Sequence, residues 1–305
     1  MGVRALATRW AGAILGLALV AAGASACGGS TSRDAGGTGG TGSSVSVTRD
    51  AKAAKLLPAS LVKSGLVVAM DGTQGKPFTY YGSDNKTLAG VTVDLGDALG
   101  KALGVKVTVK NTSFDSLIPG LAAGRYDLAI APMLMTPERL KQVDMIGWVH
   151  GGSSFVVKKG VGKPDLTPSA VCGMTVGAAT GSVEAEALAA QSTKCVKAGK
   201  KPVQRKLFPH ATDGVVALTA GRLDAYDTAS AQAAFIAKQN GQVTQSGHPY
   251  SSGTSSMALP KGSKAAQAVA AGLQHLIDTG AYKQILSRYG MQGLAVPAAA
   301  VDTPK

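Results

Sequence analysis

Apolar residues recur along the chain with both helical and strand spacing, which is typical of an α/β protein. An uninterrupted apolar stretch over 66–69 predicts a buried strand. Apolar residues over 95–103 recur every three or four positions and predict a helix, which ends at Gly104. Valine then alternates with polar residues over 105–109, which predicts a half-buried strand.

One pattern occurs twice and suggests two α/β lobes of similar construction. Residues 121–127 read Leu-Ala-Ala-Gly-Arg-Tyr-Asp, and residues 218–224 read Leu-Thr-Ala-Gly-Arg-Leu-Asp. Each copy ends a predicted helix at a glycine, which adopts a positive φ at low cost, and an apolar strand follows. The alternative is that the two copies are similar by coincidence, since glycine often follows a helix. Since ligands of open α/β sheets bind beyond the carboxyl ends of strands, we expect functional residues at 132–139 and 227–230.

Composition indicates a globular protein large enough for two modest domains. Of the 305 residues, 45% are hydrophobic and 16% are charged. The formal net charge is +13, but the basic residues are scattered and aromatic residues make up only 5%. Because nucleic-acid binding needs clustered basic groups or aromatic platforms, we expect no nucleic-acid partner.

Residues 1–26 are predicted to be a lipoprotein signal peptide. Basic residues near the start precede an uncharged apolar run, which ends in small residues before Cys27. The pattern is similar to a bacterial lipobox, with Ala24 in place of the usual leucine, so lipid on Cys27 would anchor the exported protein to the outer face of the cell membrane. An ordinary secretory signal with an incidental cysteine is the alternative. Residues 27–58, rich at first in Gly, Ser and Thr, are expected to be a flexible tether.

The two other cysteines, Cys172 and Cys195, are predicted to form a disulfide, because an exported chain meets an oxidising environment. Two free thiols are the alternative. The four histidines are isolated in the sequence, and no Cys/His cluster has the spacing of a metal site. We therefore expect neither a metal nor a cofactor.

The order of several short motifs resembles the family 3 extracellular solute-binding proteins of amino-acid ABC importers. The matching segments are 77–80, 90–95, 114–119, 124–127, 136–139, 181–182, 221–225 and 278–282. The resemblance implies an α/β fold of the type II periplasmic-binding-protein kind: a two-lobed clamp, each lobe a mixed sheet flanked by helices, joined by two hinge crossings. We expect lobe 1 at 59–152 and 252–290, lobe 2 at 153–251 and a frayed tail at 291–305.

The same resemblance implies a monomer that binds an amino acid or a related metabolite and delivers it to an ABC permease. Arg139 matches the arginine that holds the ligand's α-carboxylate, a role that suits a planar guanidinium. Phe114 matches the aromatic residue that covers the ligand. Gly181 and Ser182 match a turn that donates hydrogen bonds from the second lobe.

Several positions near the expected site depart from the family pattern. Leu134 stands where relatives carry Ser or Thr, and Pro132, which has no N–H, stands where they often carry Gly. Met133 and Leu134 are still expected to contact the ligand, because they follow a predicted strand. A loop shifted by one residue would put Gln74 where relatives have an aromatic residue.

The carboxylate that holds the ligand's α-amino group in relatives is replaced here by Ala229. Asp227 lies two residues earlier, on the same face if the strand continues, and we expect it to take over this role. Two other functions are alternatives. One is an enzyme on the same fold, resembling cyclohexadienyl dehydratase, for which Glu184 and Asp227 are the candidate acids. The other is a ligand sensor for a membrane partner.

Overall fold

The structure is a computed structural model that describes residues 45–161 and 163–302. The predictions of a signal peptide at 1–26, of lipid on Cys27 and of the first part of the tether lie outside the described residues. Within those two ranges, no helix combines the length and the apolar character needed to cross a membrane.

The described chain contains both strands and helices, interspersed along its length. The strands are β1 (Leu66–Met70), β2 (Tyr80–Tyr81), β3 (Leu88–Ala89), β4 (Val107–Asn111), β5 (Leu128–Leu134), β6 (Val143–Lys158), β7 (Thr175–Ala179), β8 (Gln204–Phe208), β9 (Ala225–Ala229) and β10 (Val243–Pro260). The α-helices are α1 (Ala51–Lys55), α2 (Ala59–Ser64), α3 (Val91–Leu103), α4 (Leu117–Ala122), α5 (Pro137–Leu140), α6 (Val183–Lys197), α7 (Ala211–Thr219), α8 (Ser230–Gln239), α9 (Ala266–Asp278) and α10 (Ala281–Arg288). The helix predicted over 95–103 and the strand predicted over 66–69 are confirmed within α3 and β1.

One mixed sheet of eight strands passes through both lobes in the order β4-β1-β5-β10-β6-β9-β7-β8. Strands β4, β1 and β5 are parallel and belong to lobe 1, while β9, β7 and β8 are parallel and belong to lobe 2. The long antiparallel strands β6 and β10 join the two halves. The two-lobed α/β clamp predicted from the sequence is therefore confirmed, whereas the exact limits of each lobe stay a prediction.

The two crossings between the expected lobes, at about residues 152 and 252, lie inside β6 and β10 rather than in loops. The pairing of β10 with β6 shifts register near Tyr250 and Ser255, where the chain passes between the lobes. Such irregularities bend and twist a strand locally, so the hinge is a distorted stretch of paired β-structure.

Each lobe has apolar layers on both faces of its half of the sheet. In lobe 1, Leu99 of α3 and Leu273 of α9 are buried on one side, and Leu117 of α4 is buried on the other. In lobe 2, Leu188 of α6 and Leu218 of α7 are buried in two separate clusters in the same way. Packed layers of this kind make each lobe a rigid support for the residues at its edge.

The repeated motif forms the same contact in both lobes. Gly124 and Gly221 have φ values of +66° and +72°, as expected for a glycine that follows a helix. The Asp127 carboxylate accepts a hydrogen bond of 2.8 Å from the backbone N–H of Val67, at the start of β1. The Asp224 carboxylate accepts one of 2.7 Å from the N–H of Thr175, at the start of β7. The two copies are therefore structurally equivalent.

The tether prediction is wrong at its end, because the chain is already folded by Asp50. The Asp50 side chain accepts a hydrogen bond from Lys52 N–H and begins α1. Ala53 and Leu57 are buried in the apolar layer that includes α3 and α9. The gain from this burial is the physical reason that the segment does not behave as a polar tether.

The frayed tail predicted at 291–305 is wrong for the part that the structure describes. Val296 is only 4% exposed, and its N–H donates to the hydroxyl of Tyr282. Asp302 accepts a hydrogen bond of 2.7 Å from the N–H of Met145, and Ala295 and Val301 form single bridges to β6. The segment covers the edge of β6 in lobe 1, an edge that would otherwise expose unpaired backbone groups.

The predicted disulfide between Cys172 and Cys195 is present. It joins the turn before β7 to the last turn of α6. Cys195 is 1% exposed and belongs to the apolar layer beneath α6. The bond therefore ties α6 to the turn that precedes β7 within lobe 2.

Candidate functional site

Arg139 lies where β5 ends, at the boundary between the lobes. Thr136 begins the short helix α5 by accepting a hydrogen bond from Arg139 N–H, and Pro137 occupies its first turn. The guanidinium donates through Nη1 to the carbonyl of Leu134 at 2.7 Å and through Nη2 to the carbonyl of Gly181 at 3.2 Å. It therefore contacts both lobes.

The cation of Arg139 is buried without an acidic partner. The residue is 7% exposed, and no carboxylate oxygen of residues 45–161 or 163–302 lies within 4.0 Å of its guanidinium. Burial lowers the pKa of Arg139, and the more distant Glu184 and Glu186 act in the opposite direction. A buried guanidinium bonded only to neutral carbonyls favours an anion beside it.

Phe114 and Gly181 lie next to this cation, one from each lobe. The ring of Phe114 is 8% exposed, with its centroid 5.8 Å from Cζ of Arg139, a distance typical of a cation–π contact. Gly181 has φ of +74°, and a Cβ added there would lie 2.9 Å from Cβ of Asp115 in lobe 1. Only glycine permits this approach of the two lobes.

The other residues predicted beside Arg139 have structural contacts as well. The Ser182 hydroxyl accepts a hydrogen bond of 3.2 Å from Ala185 N–H and begins α6. Met133 is 1% exposed and belongs to the apolar layer that contains Leu117, so its side chain also supports the core of lobe 1. Leu134 contributes its carbonyl to Arg139.

Asp227 is buried in β9, on the sheet face that it was predicted to share with Ala229. The hydroxyl of Tyr250 donates a hydrogen bond to Asp227 Oδ2, while Oδ1 has no hydrogen-bond partner. Burial and then the charge of Glu184 hold the pKa of Asp227 well above its ordinary value. Glu184 itself accepts a hydrogen bond of 2.7 Å from the hydroxyl of Ser153.

Asp71 is a buried acidic residue near Phe114 that was not among the residues predicted from the sequence. It follows β1 directly, at the carboxyl end of a parallel strand, and this position was the available signal. It is 3% exposed, and burial raises its pKa, while the hydroxyl and N–H of Thr73 and the nearby N–H of Phe114 act in the opposite direction. The Phe114 contact puts the Asp71 carboxylate in the same region as Arg139.

Gln74 connects the two lobes on the side of the site formed by the loop after β1. Its side-chain amide donates to Oε1 of Gln232, in the first turn of α8, over 3.3 Å. The Oγ1 of Thr73 lies 3.1 Å from Nδ1 of His210, and Thr212 N–H donates to the Thr73 carbonyl at 3.3 Å. The sequence reading proposed Gln74 but not the residues that meet it.

Four buried side-chain atoms in the described residues lack a hydrogen-bond partner: Asp71 Oδ2, Gln74 Oε1, Tyr226 Oη and Asp227 Oδ1. The amide oxygen of Gln74 is an acceptor, and so are the two carboxyl oxygens when Asp71 and Asp227 are ionised. The phenol of Tyr226 can both accept and donate. Buried polar atoms are normally paired, so these oxygens favour a ligand that supplies several N–H groups. In the part of the chain described, no group of three or more His, Cys, Asp or Glu residues could hold a metal ion.

Residues 66–292 match the family model of the bacterial extracellular solute-binding proteins, family 3. The chain belongs to this family. Its relatives include the arginine-binding protein ArgT of Corynebacterium glutamicum, which is 28% identical over 239 residues, covering 78% of this chain and 78% of the relative.

Two solved structures of solute-binding proteins are similar over most of this chain. An ancestral arginine-binding protein bound to arginine has a TM-score of 0.66 and 31% identity, covering 73% of this chain and 97% of that one. An ancestral amino acid-binding protein, a precursor of cyclohexadienyl dehydratase, has a TM-score of 0.67 and 26% identity, covering 75% and 97%.

Family membership confirms the function predicted from the sequence. The protein is a substrate-binding component of an amino-acid ABC importer. The structure brings Arg139, Phe114, Leu134 and Gly181 into one cluster between the lobes. The ligand-binding roles predicted for these residues, and for Met133, Ser182, Gln74 and Asp227, stay predictions.

Proposed function

We propose that this solute-binding protein closes on a cationic amino acid of the arginine class and delivers it to a membrane permease. The observation that carries the proposal is a buried guanidinium without an acidic partner, accompanied by buried acceptor oxygens without donors. An amino acid with a cationic side chain has the matching set of groups: one carboxylate and several N–H donors.

Arg139 is the proposed partner of the ligand's α-carboxylate. Two of its N–H groups donate to the carbonyls of Leu134 and Gly181, and a guanidinium has further donors in the same plane. A carboxylate can accept two parallel hydrogen bonds from such a fork. Phe114 would then cover the ligand from the side of lobe 1, as the resemblance implies.

Asp227 is the proposed partner of the ligand's α-ammonium group, in place of the carboxylate that Ala229 lacks. Its Oδ1 is buried and unpaired, so an ammonium group would satisfy it and favour its ionised form. Asp71 and Gln74 present two of the other unpaired atoms and are proposed to bind the cationic side chain. The arginine-binding relatives in the comparisons support this ligand class.

We further propose a binding protein without catalysis, exported as a monomer and held by lipid on Cys27. The two acids that the sequence offered for a reaction are both hydrogen-bonded: Asp227 to the hydroxyl of Tyr250, and Glu184 to that of Ser153. Substitution of Cys27 by serine should release the protein into the medium, and retention in the membrane fraction would argue against the anchor.

Turnover of prephenate-like acids would argue for the dehydratase alternative.

Isothermal titration calorimetry of the purified protein tests the ligand class. L-Arginine should bind and raise the unfolding temperature, whereas agmatine, which lacks the α-carboxylate, should bind far more weakly. The Arg139→Ala variant should lose arginine binding. Arg222→Ala removes an exposed arginine of the repeated motif and should retain it. Equal binding of agmatine and arginine, or no binding of arginine, would reject the proposal.

A further inference from the structure

Gln232 and Gln74 form a directional hydrogen-bond network across the boundary between the lobes. Gln232 Nε2 donates to the backbone carbonyl of Gln74, and Gln74 Nε2 donates to Gln232 Oε1. The hydroxyl of Thr228 donates to the same Oε1 at 2.7 Å. Gln232 is 2% exposed and Gln74 is 6% exposed, so little water competes for these groups.

The backbone carbonyl of Gln74 sets the direction of this network. A carbonyl can only accept, so Gln232 must turn its NH₂ group toward it. The Oε1 atom of Gln232 then faces the side chain of Gln74 and requires a donor from it. Gln74 therefore points its own NH₂ group at Gln232, and its Oε1 faces away.

Gln74 Oε1 is consequently left as a buried acceptor without a partner. Asp71 Oδ2 is a second such acceptor in the same turn, which is closed by a hydrogen bond of 3.0 Å from Gln74 N–H to the Asp71 carbonyl. A primary amide that could rotate freely would offer either its oxygen or its NH₂ group to a ligand. The hydrogen bonds with Gln232 fix the amide of Gln74, so that only its oxygen is available to a ligand.

We propose that Gln232 is a positioning residue for specificity, which fixes Gln74 as an acceptor and so selects a ligand side chain that donates at that point. This inference rests on the proposed binding of an arginine-class ligand. A guanidinium satisfies Gln74 Oε1 with an N–H group. The ureido group of citrulline has nearly the same shape but carries an oxygen in place of one guanidinium nitrogen. Where this oxygen faces Gln74 Oε1, the two acceptor atoms repel each other.

The test compares the dissociation constants of L-arginine and L-citrulline, measured by calorimetry on the wild type and on Gln232→Met. Methionine has a similar length but cannot hold the amide of Gln74. The ratio of the citrulline constant to the arginine constant should fall by about tenfold or more, because a free Gln74 can donate to the ureido oxygen. Gln239→Met, an exposed glutamine on the same helix, should leave the ratio unchanged.

A double-mutant cycle separates positioning from simple lobe contact. Gln74→Met should itself lower the ratio, and adding Gln232→Met to it should lower the ratio no further. If Gln232→Met weakens both ligands equally and leaves the ratio as in the wild type, Gln232 only joins the lobes and the inference is wrong. Thermal unfolding of each variant verifies its folding, and Gln74→Met tests the acceptor role even if Gln232→Met does not fold. A wild type that fails to bind arginine would instead reject the proposed function, and this inference with it.

Discussion

Arg139 of lobe 1 donates a hydrogen bond to the carbonyl of Gly181 in lobe 2 over 3.2 Å. The same glycine approaches the backbone of lobe 1 so closely that an added Cβ would lie 3.1 Å from Cα of Asp115. Arg139, the proposed partner of the ligand's carboxylate, can therefore reach the Gly181 carbonyl only when the two lobes come this close. A side chain at position 181 would keep the lobes apart.

The first prediction is that Gly181→Ala weakens ligand binding by about tenfold or more, because the new methyl group separates the lobes. The positive φ also disfavours alanine, by about 1–2 kcal/mol. Gly221→Ala is the matched control, since Gly221 has a φ of +72° but nothing within 4 Å of an added Cβ. Calorimetry should show weaker binding in the first variant alone, and equal affinities would contradict the predicted clash.

The second prediction concerns the proposed contact of Asp227 with the ligand. Asp227→Asn should abolish arginine binding, because the amide keeps an acceptor for Tyr250 but cannot supply the charge that an ammonium group requires. In the wild type, the affinity should rise with pH, because the raised pKa of Asp227 keeps the carboxyl group protonated below it. Calorimetry between about pH 5 and about pH 8 measures both effects. Unchanged affinity in the variant would exclude Asp227 from the site.

Much of the fold could be predicted from the sequence because its signals are local. The helical spacing over 95–103 and the glycines at 124 and 221 each act within one or two turns of chain. Asp127 and Asp224 make equivalent contacts with the neighbouring strands, so the repeated motif marked a true structural repeat. Arg139 was identified from the family resemblance of the segment 136–139, and Thr136 and Pro137 begin the short helix that carries it.

The contacts that the sequence did not reveal join residues far apart in the chain. Gln74 and Gln232 are 158 positions apart, and nothing near Gln74 in the sequence indicates an amide partner. Val296 lies in an alanine- and proline-rich segment that resembles a frayed end, yet the open edge of β6 gives it a place to pack. Such contacts depend on how the lobes and sheet edges come together, which periodicity does not encode.

The third prediction concerns the disulfide within lobe 2. Replacing both Cys172 and Cys195 with serine should lower the free energy of unfolding by about 3 kcal/mol, as expected for a loop of this length. Ligand affinity should change little, because neither cysteine contacts Arg139, Gln74 or Asp227. Urea unfolding followed by circular dichroism, together with calorimetry, tests both expectations. A large loss of affinity with little loss of stability would contradict a structural role.

The last prediction concerns the pH dependence of stability without ligand. Burial and Glu184 raise the pKa of Asp227 above the ordinary value of 3.8, so the folded protein holds a proton that the unfolded chain has released. Between 3.8 and that raised pKa, the contribution of Asp227 to the free energy of unfolding should therefore fall as the pH rises. Asp227→Asn should flatten this slope. Asp71→Asn should reduce the remaining slope further, because burial also raises the pKa of the Asp71 carboxyl group.

Asp84→Asn is the control, because hydrogen bonds from Thr87 lower the pKa of this exposed carboxyl to about 2, below the pH range of the test. Urea unfolding at intervals from about pH 4 to about pH 8 measures the slopes, and equal slopes for the wild type and Asp227→Asn would show that Asp227 is not held protonated by its surroundings.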